Sequence, residues 1–166
     1  MMETRSELKH QQWGAEALWQ QLEPLLPGLC IEVAASVEST NSSLMKRVRA
    51  EAGRAGADAR SFGRRQQDLQ PCLLVAERQT QGRGRLGRAW HSSGSASLTF
   101  SLAMSLQAQD WSGLSLVVGT ALADALDPLQ EASVEPPRLG LKWPNDLWLD
   151  GRKLGGVLIE TAAVGD

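Results

Sequence analysis

The sequence predicts an α+β fold: a mixed, mainly antiparallel sheet backed by helices. Three observations predict it. Residues 97–106 alternate, with Leu98, Phe100, Leu102, Met104 and Leu106 on one face of an extended chain. Residues 111–126 repeat at helical spacing through Leu114, Val117, Val118, Ala121, Leu122, Ala125 and Leu126. Asp150-Gly151 is a tight hairpin turn between two further strands. Helices set among hairpin-linked strands favour this class.

Ser6 is placed to cap a helix running to about Leu22, with Leu8, Ala15, Leu18, Trp19 and Leu22 roughly on one face; Pro24 and Pro27 end it. Residues 29–35 alternate as a strand, with Ile31 and Val33 on one side. Ser39 or Thr40 caps a second helix over about residues 41–50. Residues 51–71 show little periodicity and read as a long mobile loop. A structureless stretch of that length is uncommon inside a compact domain, so it reads as an insertion. Residues 73–76 form a fully apolar run typical of a buried strand. Pro136 and Pro137 mark a break after the 111–126 helix, and residues 139–143, 146–149 and 156–161 read as strands, the last leaving an exposed edge. The organisation expected is an N-terminal helical extension over 1–28 and one domain over 29–166.

One core-bearing domain is what 166 residues support. Apolar content of 42% and charged content of 22% are ordinary for a soluble protein. Eleven of the 17 basic side chains fall in residues 46–88 beside four acidic ones, so that stretch is +7 while the whole chain is −2. A local basic field suits a small anionic ligand better than DNA. Cys30 and Cys72 lie in apolar strand-like runs without CxxC spacing and read as reduced core residues of a cytoplasmic protein. Residues 1–10 are polar and no run of 18 apolar residues exists, so neither secretion nor membrane insertion is expected. His10 and His91 lack ligand spacing for zinc.

The chemistry concentrates in four segments. Residues 79–90, Gln-Thr-Gln-Gly-Arg-Gly-Arg-Leu-Gly-Arg-Ala-Trp, interleave three arginines with three glycines directly after the 73–76 strand. Glycine lets backbone approach a ligand, and arginine presents a planar fork of donors to paired oxygens. A disordered Arg-Gly tail would not sit between two strands, and the segment lacks the endings of a Walker loop or a dinucleotide fold. The others are Ser39-Thr40-Asn41, Lys142-Trp143-Pro144-Asn145-Asp146 and Lys153-Leu154-Gly155-Gly156. Singly these are a helix cap, a turn and a surface lysine; on a hairpin, Lys142 and Lys153 can converge on one sheet face near the Gly/Arg loop.

Together, in this order and spacing, the four segments resemble the catalytic domain of biotin protein ligases, over roughly residues 30–161. The family's connection corresponding to 51–71 is usually shorter. The resemblance implies ATP-dependent ligation of biotin to a lysine of a biotin carboxyl carrier protein (that of acetyl-CoA carboxylase) through biotinyl-5′-adenylate, with ATP and Mg²⁺. It implies that Ser39, Thr40, Gln79, Gly82 and Arg83 hold biotin. Arg85, Arg88, Trp90, Lys142, Asn145 and Lys153 would hold nucleotide and phosphate. Lys153, Arg85 and Asp146 would be the catalytic groups, with Asp146 either holding Mg²⁺ or accepting from the incoming amine. Bifunctional members carry a DNA-binding module for which the residues before the first strand are too few, so no DNA binding is expected. Members also continue beyond this chain's last residue, so the domain is expected to be incomplete and ligation by the chain alone weak. A lipoate or octanoate ligase or transferase relative, a non-catalytic biotin binder and a basic-loop RNA binder are the alternatives.

Overall fold

A computed structural model describes residues 13–58, 70–94, 96–127 and 138–163, with side chains of 53–58 excluded. The α+β expectation holds, with one difference: the strands form two three-stranded sheets rather than one. The chain divides into two compact units, Met1–Arg83 with Ala89–Ser105 and Ala162–Asp166, and Gly84–Arg88 with Leu106–Thr161.

The first unit holds α1 (Ala15–Leu22), β1 (Cys30–Ala34), α2 (Thr40–Asp58), β2 (Cys72–Ala76) and β3 (Thr99–Ala103). β2 is central, parallel to β1 and antiparallel to β3. Its sequence, Cys-Leu-Leu-Val-Ala, suits a strand covered on both faces. Leu73 and Val75 join Leu29 in a core under Trp13, Leu18, Leu22, Leu26 and Ile31, so the first helix packs on this sheet. Trp19 donates its indole N–H to the Leu29 carbonyl at 2.9 Å. On the opposite face Leu74 and Ala76 are fully buried, and α2 packs over β2 and β3.

Three boundaries differ from expectation. α1 starts at Ala15, after Gly14 in the left-handed region (φ 59°); Ser6 lies outside the described residues. α2 continues through 51–58, where the sequence suggests a loop; nothing in that stretch breaks a helix more strongly than a glycine at about 1 kcal/mol, and residues 59–69 lie outside the described set. β3 is shorter than the alternating stretch, and its apolar face is the more exposed one: Phe100 and Leu102 are each 44% exposed, whereas Thr99 is buried. The register explains this. Phe100 pairs with Val75 and Leu102 with Leu73, on the side where the α1 cluster covers β1 and β2 but does not reach the edge strand.

The cysteines also differ. Cys30 is exposed and Cys72 only partly buried, so neither is a core residue, though both are free thiols. Burial pushes the Cys72 thiol up to about 11, with the Glu32 carboxylate adding to the effect.

The second unit holds α3 (Leu114–Leu126), β4 (Leu139–Lys142), β5 (Asp146–Leu149) and β6 (Arg152–Gly156), with the strands antiparallel in chain order. Ala123, Leu139 and Leu147 form its core beside Leu122. Gly119 permits the approach of α3 to β4: a Cβ there would stand 2.8 Å from Leu141. α3 starts later than the 111–126 pattern because Gly113 adopts φ 78° and Asp110 binds Ser112, its Oδ1 accepting the Ser112 N–H at 2.8 Å. The expected Asp150-Gly151 turn is present with positive φ at both residues (48° and 73°), the geometry of a type I′ hairpin. The strand expected over 156–161 is displaced to Arg152–Gly156. Beyond Gly156, Val157 donates its N–H to the Asn145 carbonyl at 2.8 Å and the chain leaves the sheet.

Candidate functional site

In the first unit, polar groups gather at the start of α2. Ser39 is its N-cap, accepting the Ser42 N–H at 3.3 Å. Ser39 and Thr40 are 2% and 3% exposed, unusually buried for polar residues, and so must find partners. Ser101 on β3 donates to Thr40 Oγ1 (2.8 Å); Thr40 donates its hydroxyl (3.1 Å) and its N–H (2.8 Å) to Gln79 Oε1. Gln79 is set by its own N–H donating to Ser92 Oγ at 2.9 Å and by a parallel bridge to Val37. Its amide nitrogen lies over Gly82, where a Cβ would stand 3.0 Å from Nε2 and 2.4 Å from the Trp90 carbonyl. Only glycine fits there.

The Gly/Arg segment is ordered. Trp90 N–H donates to the Gly82 carbonyl (2.8 Å), Arg83 and Ala89 form an antiparallel bridge, and Gly84 N–H donates to the Arg88 carbonyl (2.7 Å). The tip is a 3₁₀ turn at Arg85–Gly87, with Leu86 in the left-handed region (φ 57°) and 89% exposed. Arg83 Nε donates to Ser42 Oγ at 2.8 Å, tying the loop base to α2, and Trp90 is half-buried. Arg85 and Arg88 are exposed.

In the second unit, the β4–β5–β6 register places Lys142, Asp146, Trp148 and Lys153 on one face. Lys153 Nζ donates to Asp146 Oδ1 at 2.7 Å. Lys142 Nζ lies 4.0 Å from the Trp148 ring centroid, a cation–π contact. Gly156 passes beneath: a Cβ there would meet Asp146 Oδ1 at 3.3 Å and Lys153 Nζ at 3.6 Å. The Trp143–Pro144 peptide is cis, and Asn145 Nδ2 donates to the Val157 carbonyl at 2.8 Å. Arg85 Nη1 reaches Asn145 Oδ1 at 3.4 Å. Both line an open cleft of about 310 Å³ walled by Trp111, Leu114 and Ile159.

Ser39, Thr40, Gln79, Gly82 and Arg83 thus share one cluster, and Arg85, Lys142, Asn145, Asp146 and Lys153 belong to the other unit. Ser42, Ser92, Ser101 and Trp148 went unrecognised in the sequence. Ser101 had a signal, since it occupies a polar position of the alternating strand; Ser92 had none.

Buried hydroxyls gather with the Gln79 amide at the start of α2, and cations share one face of the β4–β5–β6 sheet with a carboxylate, groups whose chemistry suits a polar ligand and an anion respectively. The family follows from the sequence: residues 60–166 match the Biotin/lipoate A/B protein ligase family, and the chain belongs to it. It is 35% identical over 158 residues to the biotin–[acetyl-CoA-carboxylase] ligase of Mycobacterium tuberculosis, covering 93% of this chain and 50% of that protein. It is 43% identical over 95 residues to the bifunctional ligase/repressor BirA of Escherichia coli, covering 55% of this chain and 28% of that one. Among solved structures, the Aquifex aeolicus biotin protein ligase in complex with biotin and ATP superposes with a TM-score of 0.52 at 32% identity, covering 81% of this chain and 48% of that one. The Helicobacter pylori biotin acetyl coenzyme A carboxylase synthetase with bound biotinylated ATP superposes at 0.55 and 29% identity, covering 81% and 56%. The chain therefore spans about half the length of these ligases or less. Among the described residues, no helix is long and apolar enough to cross a membrane.

Proposed function

We propose that the protein joins biotin to ATP and passes the biotinyl group to a lysine of a biotin carboxyl carrier protein of the acetyl-CoA carboxylase type. The carrying observation is the cluster of buried Ser39 and Thr40 with the half-buried Gln79 that accepts from Thr40, in a chain 35% identical to a biotin ligase over 158 residues. In this reading residues 29–166 form the catalytic domain, with 1–28 leading into it, and the protein works in the cytoplasm.

A ureido ring is neutral and rich in donors and acceptors, so it needs both in fixed places. The hydroxyls of Ser39 and Thr40 and the amide of Gln79 would supply them, with help from Gly82 and Arg83. The biotin carboxylate attacks the α-phosphorus, the α–β phosphoanhydride bond breaks, and pyrophosphate leaves with the displaced electron pair. Two anions must meet, so the rate depends on positioning and preorganised positive charge. Lys153 would bridge the carboxylate and α-phosphate, Arg85 and Arg88 would hold the phosphates, and Lys142 would add charge nearby. Asn145 and Trp90 would flank the nucleotide. The lysine amine of the carrier then attacks the acyl carbon of the mixed anhydride, AMP leaves, and an amide forms. Asp146 either takes up the proton of that amine or holds Mg²⁺; one carboxylate joined by phosphate oxygens is an ordinary ligand set for that cation. Mg²⁺ there would neutralise charge on the phosphates.

The test is thermal stabilisation. Biotin, and more strongly a non-hydrolysable biotinyl-adenylate analogue, should raise Tm, while lipoate should not. Equal stabilisation by lipoate would place the protein on the lipoate side of the family.

A further inference from the structure

We infer that Cys30, Glu32 and Cys72 form a binding site for one thiophilic divalent cation of the zinc class, separate from the proposed ligand sites. β1 and β2 are parallel neighbours, and their register sets Cys30 directly opposite Cys72. Glu32 is two residues on from Cys30, so its side chain returns to the same sheet face. Its Oε1 lies 3.9 Å from Cys30 Sγ and 3.9 Å from Cys72 Sγ, and the three ligand atoms all lie within 4.8 Å of one another. A tetrahedral ion with Zn–S near 2.3 Å and Zn–O near 2.0 Å would hold its ligands about 3.5–3.8 Å apart. The required closing movement is thus a few tenths of an ångström for each sulfur–oxygen pair, within side-chain rotation at a partly exposed site.

Charge supports the same occupant. Two thiolates and a carboxylate carry three negative charges, and a divalent ion leaves one. The Arg47 guanidinium neutralises it: Nη2 donates to Glu32 Oε2 at 2.8 Å, and Nη1 is 4.0 Å from Cys72 Sγ. An outer-shell partner that orients a ligating carboxylate is a regular feature of metal sites. Arg47 Nη1 also donates to Glu32 Oε1, and a carboxylate oxygen has lone pairs for both a donor and a metal. Three protein ligands leave the fourth position to water. A pair of thiols meant for a disulfide would gain nothing from a carboxylate equidistant from both sulfurs. Sequence spacing does not show this site, because Cys30 and Cys72 are brought together by strand pairing alone.

The experiment is a cobalt(II) titration of the reduced 166-residue protein, with a thiol count of two confirmed beforehand. The expected result is a thiolate-to-cobalt charge-transfer absorption saturating at one equivalent, abolished by one equivalent of zinc(II). Cys30→Ser, at an exposed position where folding is not at stake, should weaken binding at least about tenfold, and Glu32→Gln likewise; even the loss of a supporting outer-shell residue costs that much. The double variant His10→Ala/His91→Ala should keep the band. Zinc should also protect both thiols from diamide oxidation. Absence of the band in fully reduced protein, its survival in Cys30→Ser, its loss in the histidine variant, or disulfide formation indifferent to zinc would each overturn the proposal.

Discussion

Lys153 and Asp146 are paired across the β5–β6 hairpin, Nζ to Oδ1 at 2.7 Å, with the lysine side chain 40% exposed and the carboxylate 23%. A pair this open is cheap to rearrange, since exposed ion pairs contribute at most about 1 kcal/mol. Lys153 can therefore leave Asp146 for a phosphate or carboxylate without a large penalty. The backbone already holds it in place: Trp148 is its register partner, and Gly156 leaves room beside it.

In a chain extended to the length of the ligases it matches, Lys153→Ala should lower the single-turnover rate of pyrophosphate release about a hundredfold or more, the usual loss for one preorganised charge at a reacting centre. Biotin affinity should change much less, because the groups proposed to hold the ring are Ser39, Thr40 and Gln79. Lys153→Arg should recover only part of the rate, since a planar fork does not replace a compact ammonium. Near-native release from the alanine variant would reduce Lys153 to a surface lysine.

Thr40→Val should lower stability by about 1–3 kcal/mol, because the Ser101 hydroxyl and Gln79 Oε1 both lose a partner at a buried position. Biotin binding should weaken along with it. Urea denaturation and a biotin titration on the same variant check both. An unchanged urea midpoint would mean that the chain of hydroxyls is satisfied by water instead.

What the sequence disclosed was chiefly local. The Ser39 cap, the buried β2 run and the Asp150-Gly151 turn are readable because each depends on a few neighbouring residues. The ordered character of the Gly/Arg loop followed from its place between two strands. The burial of β3 was not readable: the pattern shows which residues share a face, but only the register with β2 shows that the α1 cluster stops short of Phe100 and Leu102. α2 ran on because a glycine weakens a helix without ending it. The shared face of Lys142 and Lys153 was anticipated from a hairpin, but the Lys153–Asp146 pair was not, nor was Ser92 beside Gln79, since a lone serine carries no periodic signal.

Gly82→Ala should disturb the Gly/Arg loop without unfolding the protein. The added Cβ would stand 2.4 Å from the Trp90 carbonyl, so the Gly82–Trp90 pairing must open. Trypsin cleavage after the exposed Arg85 and Arg88 should accelerate, and protection by biotin plus ATP, expected for the native loop, should diminish. Far-ultraviolet circular dichroism should stay close to native. Unchanged cleavage and protection would mean that the loop base does not control its tip.

Arg47 donates hydrogen bonds to Glu32 and holds its carboxyl below the ordinary value of 4.5, against the opposing effect of burial. A carboxyl whose folded value is depressed binds fewer protons folded than unfolded within that interval. Its contribution to stability is therefore complete above 4.5 and disappears as pH falls through the lower, folded value. The pair is substantially exposed, at 46% and 37% for the two side chains, so solvent screens it and the effect will be small and salt-sensitive. Urea midpoints of the native protein and Glu32→Gln, measured from pH 7 to pH 3 with a chelator present, should differ most above 4.5. The difference should shrink towards zero below it. Other acid-sensitive pairs, such as Arg138–Asp150, are common to both proteins and cancel in the comparison. A difference that stays constant across the whole range would show that Glu32 acts through packing and not through its charge.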